Sequence, residues 1–193
     1  MIPERFQGAW RRVSIAVDGG APVEPAAVVW VQGPHAFADI RVPRIGFGDL
    51  HPAVSFAGTT RWDDPHLHWR HDLDLDADRA PDDGGDVSQV SWRGADLVET
   101  GTFGDDQLRV PYVEVWRRMA GSDGSTHDWV SPDGTHRFVR VGDHAITVAD
   151  DRHAGGSYRA CYRTRHAGEW TVELALGDDA IDLPIPSEEI TTP

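Results

Sequence analysis

Hydrophobic and polar side chains alternate with a period of two along most of the chain. Successive side chains of a β-strand point to opposite faces, so this alternation is typical of strands with one buried face. The period of about 3.6 residues that marks an amphipathic helix is nearly absent. Short alternating runs separated by Gly, Pro and Asp therefore predict an all-β protein.

Most of these runs follow one another at the spacing of hairpins. A parallel sheet would need helical crossovers, so the pattern favours an antiparallel barrel or sandwich, and a barrel also leaves no sheet edge exposed. We expect strands at residues 5–17, 25–32, 35–42, 53–62, 66–75, 86–93, 96–103, 107–119, 126–131, 135–141, 144–150, 157–165 and 168–176.

Turn signals and composition divide the chain into four parts. Residues 1–119 are predicted to form the main barrel body, and residues 120–126, AGSDGST, a linker. Residues 127–177 supply additional antiparallel strands that complete or extend the barrel. Residues 178–193 form a surface tail, and the acidic run at 76–86 an exposed loop.

Two strands near residue 100 are predicted to bring carboxylates and a phenol together. Tyr112, Glu114 and Trp116 share one face of the second strand. A two-residue turn would place Glu99 opposite Tyr112 on that face, whereas a three-residue turn would move Glu99 to the other face. The group is then either an acid/base pair inside a barrel or, more commonly, a set of outward charges neutralised by nearby arginines. Those arginines are Arg93, Arg109 and Arg117.

A histidine interrupts an apolar face in the stretch HLHWRHDLDLD, residues 66–76. A lone histidine on such a face is usually a core residue whose ring nitrogens are hydrogen-bonded. In a hollow barrel it would instead point into a ligand cavity, as a general base, a haem ligand or a hydrogen-bond donor. In a regular strand this face carries Leu67, Trp69, His71, Leu73 and Leu75.

The strand HAFADIRV can be oriented in two ways. If Phe37, Asp39 and Arg41 point inward and the small residues between them outward, the strand suits a ligand-binding barrel. The opposite orientation makes Asp39 and Arg41 a surface ion pair. Alternation alone does not choose between the two.

Patterns of histidine and aspartate that suggest metal sites fail on detail. His66 and His68 have the HxH spacing of cupins, but the carboxylate that follows is Asp72 rather than Glu, and the second motif is misspaced. Aspartates at 74, 76 and 78 lack the glycine and glutamate of an EF-hand loop. We therefore predict no metal site.

Composition excludes several classes of function. The formal net charge of −14 at pH 7 opposes binding to nucleic acid. Every basic residue other than histidine is arginine, which rules out lysine Schiff bases, pyridoxal phosphate anchoring and a P-loop lysine. The single cysteine, Cys161, is unable to form an internal disulfide and is predicted to be packed. No cofactor is expected.

No segment approaches the roughly 18 consecutive apolar residues of a membrane span. The start, MIPERFQGAW, lacks the basic and apolar regions of a secretory signal. We therefore expect a cytoplasmic protein without a membrane partner, and leave its oligomeric state open.

The segments GAWRR, residues 8–12, and VEVWRRM, residues 113–119, resemble the calycin superfamily. In that superfamily a Gly-x-Trp on the first strand is covered by an arginine from the closing strand. The resemblance implies that Trp10 lies at the base of a barrel and is paired with Arg117 or Arg118. Both arginines would then be structural.

A more specific resemblance covers a little over half of the chain. The segments AVSFAGTTRW, HWRHDLDL, DDGGDVSQVSWRGADLVETG and YVEVWRR, between residues 53 and 119, are similar in order and spacing to the HRI family of fungal calycin-like proteins. Residues 28–43, VVWVQGPHAFADIRVP, look like a strand pair of the same family. The resemblance implies a lipocalin-like β-barrel and carries over no catalytic residue.

Three functions fit this fold. The first is binding of a small, largely apolar molecule, with Trp69, Trp116, Asp39 and Arg41 as ligand-binding residues. The alternative is a cofactor-independent isomerase, cyclase or dehydratase acting on a small hydrophobic substrate. The third is an interaction module with a filled core. The candidate catalytic residues of the enzyme are His71, Glu99, Glu114 and Tyr112.

Overall fold

A computed structural model describes residues 1–46, 52–76, 86–104 and 109–186. The all-β prediction is confirmed, and the strands lie within a few residues of the predicted runs. They are β1 Gly8–Val17, β2 Ala26–Gln32, β3 Ala36–Pro43, β4 Val54–Asp63, β5 His66–Asp74, β6 Asp86–Arg93, β7 Asp96–Phe103, β8 Val110–Arg118, β9 Thr126–Val130, β10 His136–Val141, β11 His144–Asp150, β12 Tyr158–His166 and β13 Glu169–Leu176.

The first eight strands form a closed antiparallel barrel in the order of the sequence. Each strand pairs with the next, and β8 pairs back with β1. Strand β1 closes the barrel by pairing on both of its edges: Trp10, for example, has Trp30 as its partner on β2 and Arg118 as its partner on β8. The predicted barrel is thus complete without the C-terminal strands.

One end of the barrel is plugged by aromatic side chains. A short 3₁₀ turn, Glu4–Phe6, buries Phe6 completely, and the Phe6 carbonyl accepts a 2.9 Å hydrogen bond from Trp10 Nε1. The Phe6 ring lies 4.8 Å from Trp62 and 5.8 Å from Trp92. We call this end the plugged end.

The Gly-x-Trp motif closes the same end. Arg118 donates a hydrogen bond to the Gln7 carbonyl at 3.1 Å and crosses directly over Gly8. A Cβ at Gly8 would lie 2.7 Å from Arg118 Nε, and the backbone there has a φ of +149°, so only glycine fits. Of the two arginines considered, Arg118 is the one at the motif, whereas Arg117 binds Asp96.

The remaining strands form a separate five-stranded sheet in the order β13-β12-β11-β10-β9. This sheet packs against the outer face of β2 and β3, where Ala36, Ala38 and Ile40 are fully buried. Small side chains on β3 allow the two layers to approach closely. Across this interface lie Val139, Val141, Ile146, Val148, Tyr158, Ala160 and Tyr162.

A β-bulge in β5 breaks the predicted alternation. Ala57 pairs with Leu73 and Gly58 pairs with His71, so Asp72 is an extra residue without a partner on β4. The prediction of one apolar face from Leu67 to Leu75 is therefore wrong beyond His71. Leu73 and Leu75 pack in the outer core against the second sheet instead.

Cys161 is fully buried beside Ala149 and Leu183, which confirms that it is packed. Burial raises the pKa of its thiol. Most of the predicted acidic loop with Asp78, residues 105–108 of the β7–β8 turn and the last seven residues of the tail lie outside the described residues. Among the described ranges, no helix has the length and apolar character needed to cross a membrane.

Candidate ligand-binding site

The barrel encloses a cavity of about 530 Å³ between the plugged end and the opposite rim. This volume lies within the range of roughly 300 to 1,000 Å³ typical of small-molecule sites. Aromatic side chains form much of its wall: Trp30, Phe37, Phe56, Trp69, Tyr112 and Trp116. Most of the polar lining consists of charged side chains: Asp39, Arg41, Asp76, Asp86, Glu99 and Glu114.

The orientation of β3 is settled by burial. Phe37, Asp39 and Arg41 point into the barrel and line the cavity, whereas Ala36 and Ala38 point outward to the second sheet. This is the orientation that suits a ligand-binding barrel. Burial of the outward face against β10 and β11 leaves the polar side chains only the interior.

The register of β7 and β8 differs from the one a two-residue turn would give. Phe103 pairs with Val110, so the connection is longer, and Glu99 lies opposite Glu114 rather than opposite Tyr112. The partner of Tyr112 is Gly101, where a Cβ would lie 2.5 Å from the Tyr112 hydroxyl. The observed register differs from that of a two-residue turn by two positions on β8. Because two is an even number, Glu99 and Glu114 still share the inner face.

Both glutamates are buried, with 7% of Glu99 and 2% of Glu114 exposed. The interpretation of these residues as outward charges neutralised by Arg93, Arg109 or Arg117 is therefore wrong. Arg117 lies on the outer surface and pairs with Asp96. The glutamates face the interior because β7 and β8 present their inner face to the cavity.

Glu99 is held by three neutral donors. Ser88 Oγ and the Tyr112 hydroxyl each donate to Glu99 Oε1 at 2.9 Å, and Trp116 Nε1 donates to Glu99 Oε2 at 2.9 Å. The hydroxyl oxygens of Ser88 and Tyr112 also lie 2.7 Å apart, so their two hydrogens are shared among three contacts. The carboxylate is thus fixed in position between β6 and β8.

Burial and, second to it, the nearby charge of Glu114 raise the pKa of Glu99 to about 7, while the hydrogen bonds from Ser88 and Tyr112 and the charge of Arg41 act in the opposite direction. Burial likewise raises the pKa of Tyr112 well above its usual value, so the phenol stays protonated and donates. Glu99 can therefore exchange a proton near neutral pH while Tyr112 does not. This arrangement is suited to proton transfer or to binding of a charged group.

The other carboxylates in the cavity are paired with arginines. Arg41 Nε donates to Asp39 Oδ1 at 2.8 Å, and Arg41 Nη1 lies 3.7 Å from Glu114 Oε1. Burial raises the pKa of Asp39 despite this partner, and the neighbouring carboxylates raise the pKa of Arg41.

Arg12 enters the same network from β1. Its Nη1 donates to Glu114 Oε1, and its Nε donates to Glu24 Oε2 at 3.0 Å. The Arg12 side chain is 5% exposed and the Glu24 side chain 13% exposed. Buried Arg12 and partly buried Arg41 thus share Glu114, and each has a second carboxylate partner, Glu24 for Arg12 and Asp39 for Arg41.

His71 lies inside the barrel but is not part of the cavity surface. Its ring stacks on Phe56, which does line the cavity, with the ring centroids 4.0 Å apart. His71 Nδ1 lies 2.7 Å from Asp74 Oδ2. His71 Nε2 has no hydrogen-bond partner among the described residues, and Asp86 Oδ2 lies 3.4 Å from it.

The remaining sequence-predicted residues, Trp69 and Trp116, both line the cavity. Arg12, Glu24, Ser88 and Phe56 complete the site without having been predicted from the sequence. Arg12 follows Trp10 by two positions and therefore shares its face, so alternation together with the expected position of Trp10 at the barrel base was enough to place Arg12 inside.

The histidine and aspartate pattern of β5 forms no metal site. Asp72 binds Arg70 and Arg137 instead, and His68 Nε2 lies 3.3 Å from Arg61 Nη2. Within the described ranges no group of three or more His, Cys, Asp or Glu side chains is arranged to hold a metal ion.

The chain was compared with known proteins in three ways. The family model described as Protein HRI1 matches residues 9–192, which extends the similarity seen in the sequence to both ends of the chain. The comparison with curated proteins and the comparison with solved structures gave no match.

Proposed function

The chain belongs to the HRI1 family, and from this premise we propose that its barrel binds one small organic molecule with an aromatic or apolar body and a polar group. The observation that carries the proposal is the cavity of about 530 Å³ with an aromatic wall. A small number of polar groups converging on an apolar cavity is the usual composition of a ligand site. An interaction module with a filled core would leave no such volume.

The polar groups give the cavity a preferred orientation for its ligand. Trp30, Trp69 and Trp116 line the cavity together with Glu99 and Arg41, so an apolar body and a polar group would each meet complementary side chains. The side chains are held by neighbouring hydrogen bonds, so little side-chain entropy is lost when a ligand binds. We therefore expect one ligand per chain.

Fluorescence titration with the neutral apolar probe N-phenyl-1-naphthylamine tests the proposal. We expect saturable binding of one probe per chain in the micromolar range. The variant Val54→Phe places a larger side chain on the cavity wall and should weaken binding at least about tenfold, since it removes room for the probe. The matched control is Val172→Phe, on the outer strand of the second sheet.

Absence of saturable binding, or equal loss in both variants, would contradict the proposal. Native mass spectrometry of the protein purified from its own host then identifies any compound that it retains.

A second function is supported by the protonation of Glu99. A carboxyl group with a pKa of about 7 beside a fixed phenol is matched to general acid/base catalysis at neutral pH. The cavity would then hold a substrate for isomerisation, cyclisation or dehydration. His71 would take no direct part in it, because Phe56 rather than His71 forms the cavity surface there.

Isotope exchange separates the enzyme from the binding protein. The compound retained by the protein is incubated with it in D₂O and weighed by mass spectrometry. An enzyme would incorporate deuterium into the compound or change its mass, and Glu99→Gln would abolish this. A binding protein would return the compound unchanged in both cases.

A further inference from the structure

We propose that the ligand of this cavity is an organic cation, with an ammonium group placed beside Glu99 and an aromatic or apolar body against the tryptophans. The inference rests on the proposed function, because it specifies the chemical class of a ligand that the cavity must first be able to bind. It follows from the balance of charge around the cavity and from the partners of each charged group.

The charges lining the cavity are mostly negative. Arg41 is the cation among the described lining residues, and Asp39, Glu99 and Glu114 are the carboxylates near it; Asp76 and Asp86 also line the cavity but have interactions of their own. Low-dielectric walls strengthen this field inside a cavity. An anionic ligand would enter against it, whereas a cation would be drawn in.

Arg41 is also committed to other partners. Asp39 accepts hydrogen bonds from Arg41 Nε at 2.8 Å and from Arg41 Nη2 at 3.5 Å, and Glu114 lies 3.7 Å from Arg41 Nη1. Arg12, on the same network, is bound by Glu24 and Glu114. A ligand carboxylate would have to displace one of these buried pairs, at a cost in desolvated charge.

Glu99 is in the opposite situation. Its oxygens are bound by Ser88, Tyr112 and Trp116, which are all neutral. Among the described residues no arginine or histidine forms an ion pair with it. When Glu99 is ionised, its charge is therefore oriented and buried, and Arg41 acts on it only from a distance and without an ion pair, so a ligand cation supplies a direct partner.

The aromatic wall suits the same class of ligand. Trp116 donates to Glu99, so its indole ring lies directly beside the carboxylate, and Trp30 lies 5.6 Å from Trp116 between ring centroids. The faces of tryptophan and tyrosine rings attract ammonium groups, and the attraction grows when water is excluded. A carboxylate next to aromatic rings is thus a complementary site for an amine with an apolar body.

Protonation gives this site a distinctive pH dependence. The pKa of Glu99 is about 7, and a bound ammonium would favour its ionised form. Affinity for the cation should therefore rise between pH 6 and pH 8, with release of a proton on binding. Among the described residues, the other titratable and charged groups around the cavity are Glu114 and Tyr112 on β8, Asp39 and Arg41 on β3, Asp76 after β5, Asp86 on β6, His71 on β5 behind Phe56, and Arg12 with Glu24 next to Glu114.

Three ligands of similar size and different charge test the inference by isothermal titration calorimetry. They are 1-naphthylmethylamine, 1-naphthalenemethanol and 1-naphthoate, which are cationic, neutral and anionic at pH 8. We expect the amine to bind at least about tenfold more tightly than the alcohol, and the naphthoate to bind most weakly. Amine affinity should fall severalfold at pH 6, while the alcohol and the naphthoate show no such loss.

The variant Glu99→Gln keeps the size of the side chain and removes its charge. The ratio of amine affinity to alcohol affinity should fall to near one, and the pH dependence of amine binding should disappear. Asp96→Asn is the matched control, because it removes one carboxylate from the start of the same strand, where Asp96 pairs with Arg117 on the outer surface. It should leave both the ratio and the pH dependence as in the original protein.

The outcomes distinguish this inference from the proposed function. If the neutral probe and the alcohol bind but the amine binds no more tightly than the alcohol, the cavity binds ligands and the cation inference is wrong. If no probe binds, the proposed function itself fails. If Glu99→Gln does not fold, the test is the number of protons that the original protein releases when it binds the amine. Calorimetry in two buffers of different ionisation enthalpy measures this number. Zero release at pH 7 would contradict the inference.

Discussion

Glu99 and Glu114 are direct cross-strand partners on the inner face of the barrel, and both are buried. Like charges opposite each other destabilise a sheet, so the pair persists because its two members have different environments. Glu114 is bound by Arg12 and lies near Arg41, whereas Glu99 is bound by neutral donors. The barrel therefore holds one compensated carboxylate and one that protonates near neutral pH.

The first prediction concerns the stability of the fold against pH. The pKa of Glu99 is raised from 4.5 to about 7 in the folded state, so the folded state binds the proton more tightly than the unfolded state does. This contribution is fully present below about pH 4.5 and is lost as pH rises through 7. The loss of this contribution between pH 5 and pH 8 lowers the free energy of unfolding by roughly 2 to 3 kcal/mol.

Urea denaturation of Glu99→Gln at several pH values measures this contribution. Gln can turn its oxygen to Trp116 and its amide to the hydroxyls of Ser88 and Tyr112, so the hydrogen bonds can be kept. The loss of stability from pH 5 to pH 8 should shrink in the variant, with a remainder from Asp39, whose pKa is also raised. Asp96→Asn should leave the loss of stability between pH 5 and pH 8 unchanged. If Glu99→Gln also leaves it unchanged, Glu99 does not titrate in this pH range.

Strand positions were predictable because the alternation of apolar and polar residues reports directly on burial. The alternation on β3 places Phe37, Asp39 and Arg41 on one face, but it does not say which face is covered. The second sheet decides this, because it covers the opposite face and leaves these residues to the interior. A contact between strands 100 residues apart has no signal in a local pattern.

Register was less predictable than strand position. Whether the β7–β8 turn has an even or an odd number of residues decides if Glu99 and Glu114 share a face. The exact number of residues decides if they are direct partners, and the sequence does not give that number. The bulge at Asp72 likewise has no signature in an alternating sequence. It rotates the end of β5 so that Asp74, rather than Leu73, lies next to His71.

The second prediction tests that bulge through Gly58. A Cβ at Gly58 would lie 1.8 Å from the carbonyl oxygen of Arg70, which belongs to the backbone and cannot rotate away. Gly58→Ala should therefore destabilise the protein by about 3 kcal/mol. Gly33→Ala, where the nearest atom is the Ala36 carbonyl oxygen at 3.4 Å, should cost less than about 1 kcal/mol. Equal melting temperatures of the two variants would argue against the close approach at the bulge.

The third prediction concerns the link between the barrel and the second sheet. Arg137 of β10 donates to the Gly58 carbonyl at 2.7 Å and to Asp72 Oδ2 at 2.8 Å, and so binds both sides of the bulge. Arg137→Met should cost about 3 kcal/mol, because it leaves the buried Gly58 carbonyl without its donor and removes the buried one of the two arginines that bind Asp72. Arg70→Met removes the exposed partner of the same Asp72 and should cost less than about 0.5 kcal/mol. Comparable losses in the two variants would mean that Asp72 does not join the sheets.

The last prediction compares two adjacent arginines on β1. Arg12 points into the barrel and binds Glu24 and Glu114, whereas Arg11 points outward and is exposed. Arg12→Met leaves buried Glu114 and partly buried Glu24 without their main cation and should destabilise the protein by about 3 kcal/mol at pH 8. The loss should be smaller at pH 5, because Glu99, whose pKa is about 7, is protonated there and no longer adds its charge to that of Glu114. Arg11→Met should change the free energy of unfolding by less than about 0.5 kcal/mol at both pH values. Urea denaturation at the two pH values makes this comparison, and a pH-independent loss in Arg12→Met would indicate that its packing, rather than its charge, stabilises the site.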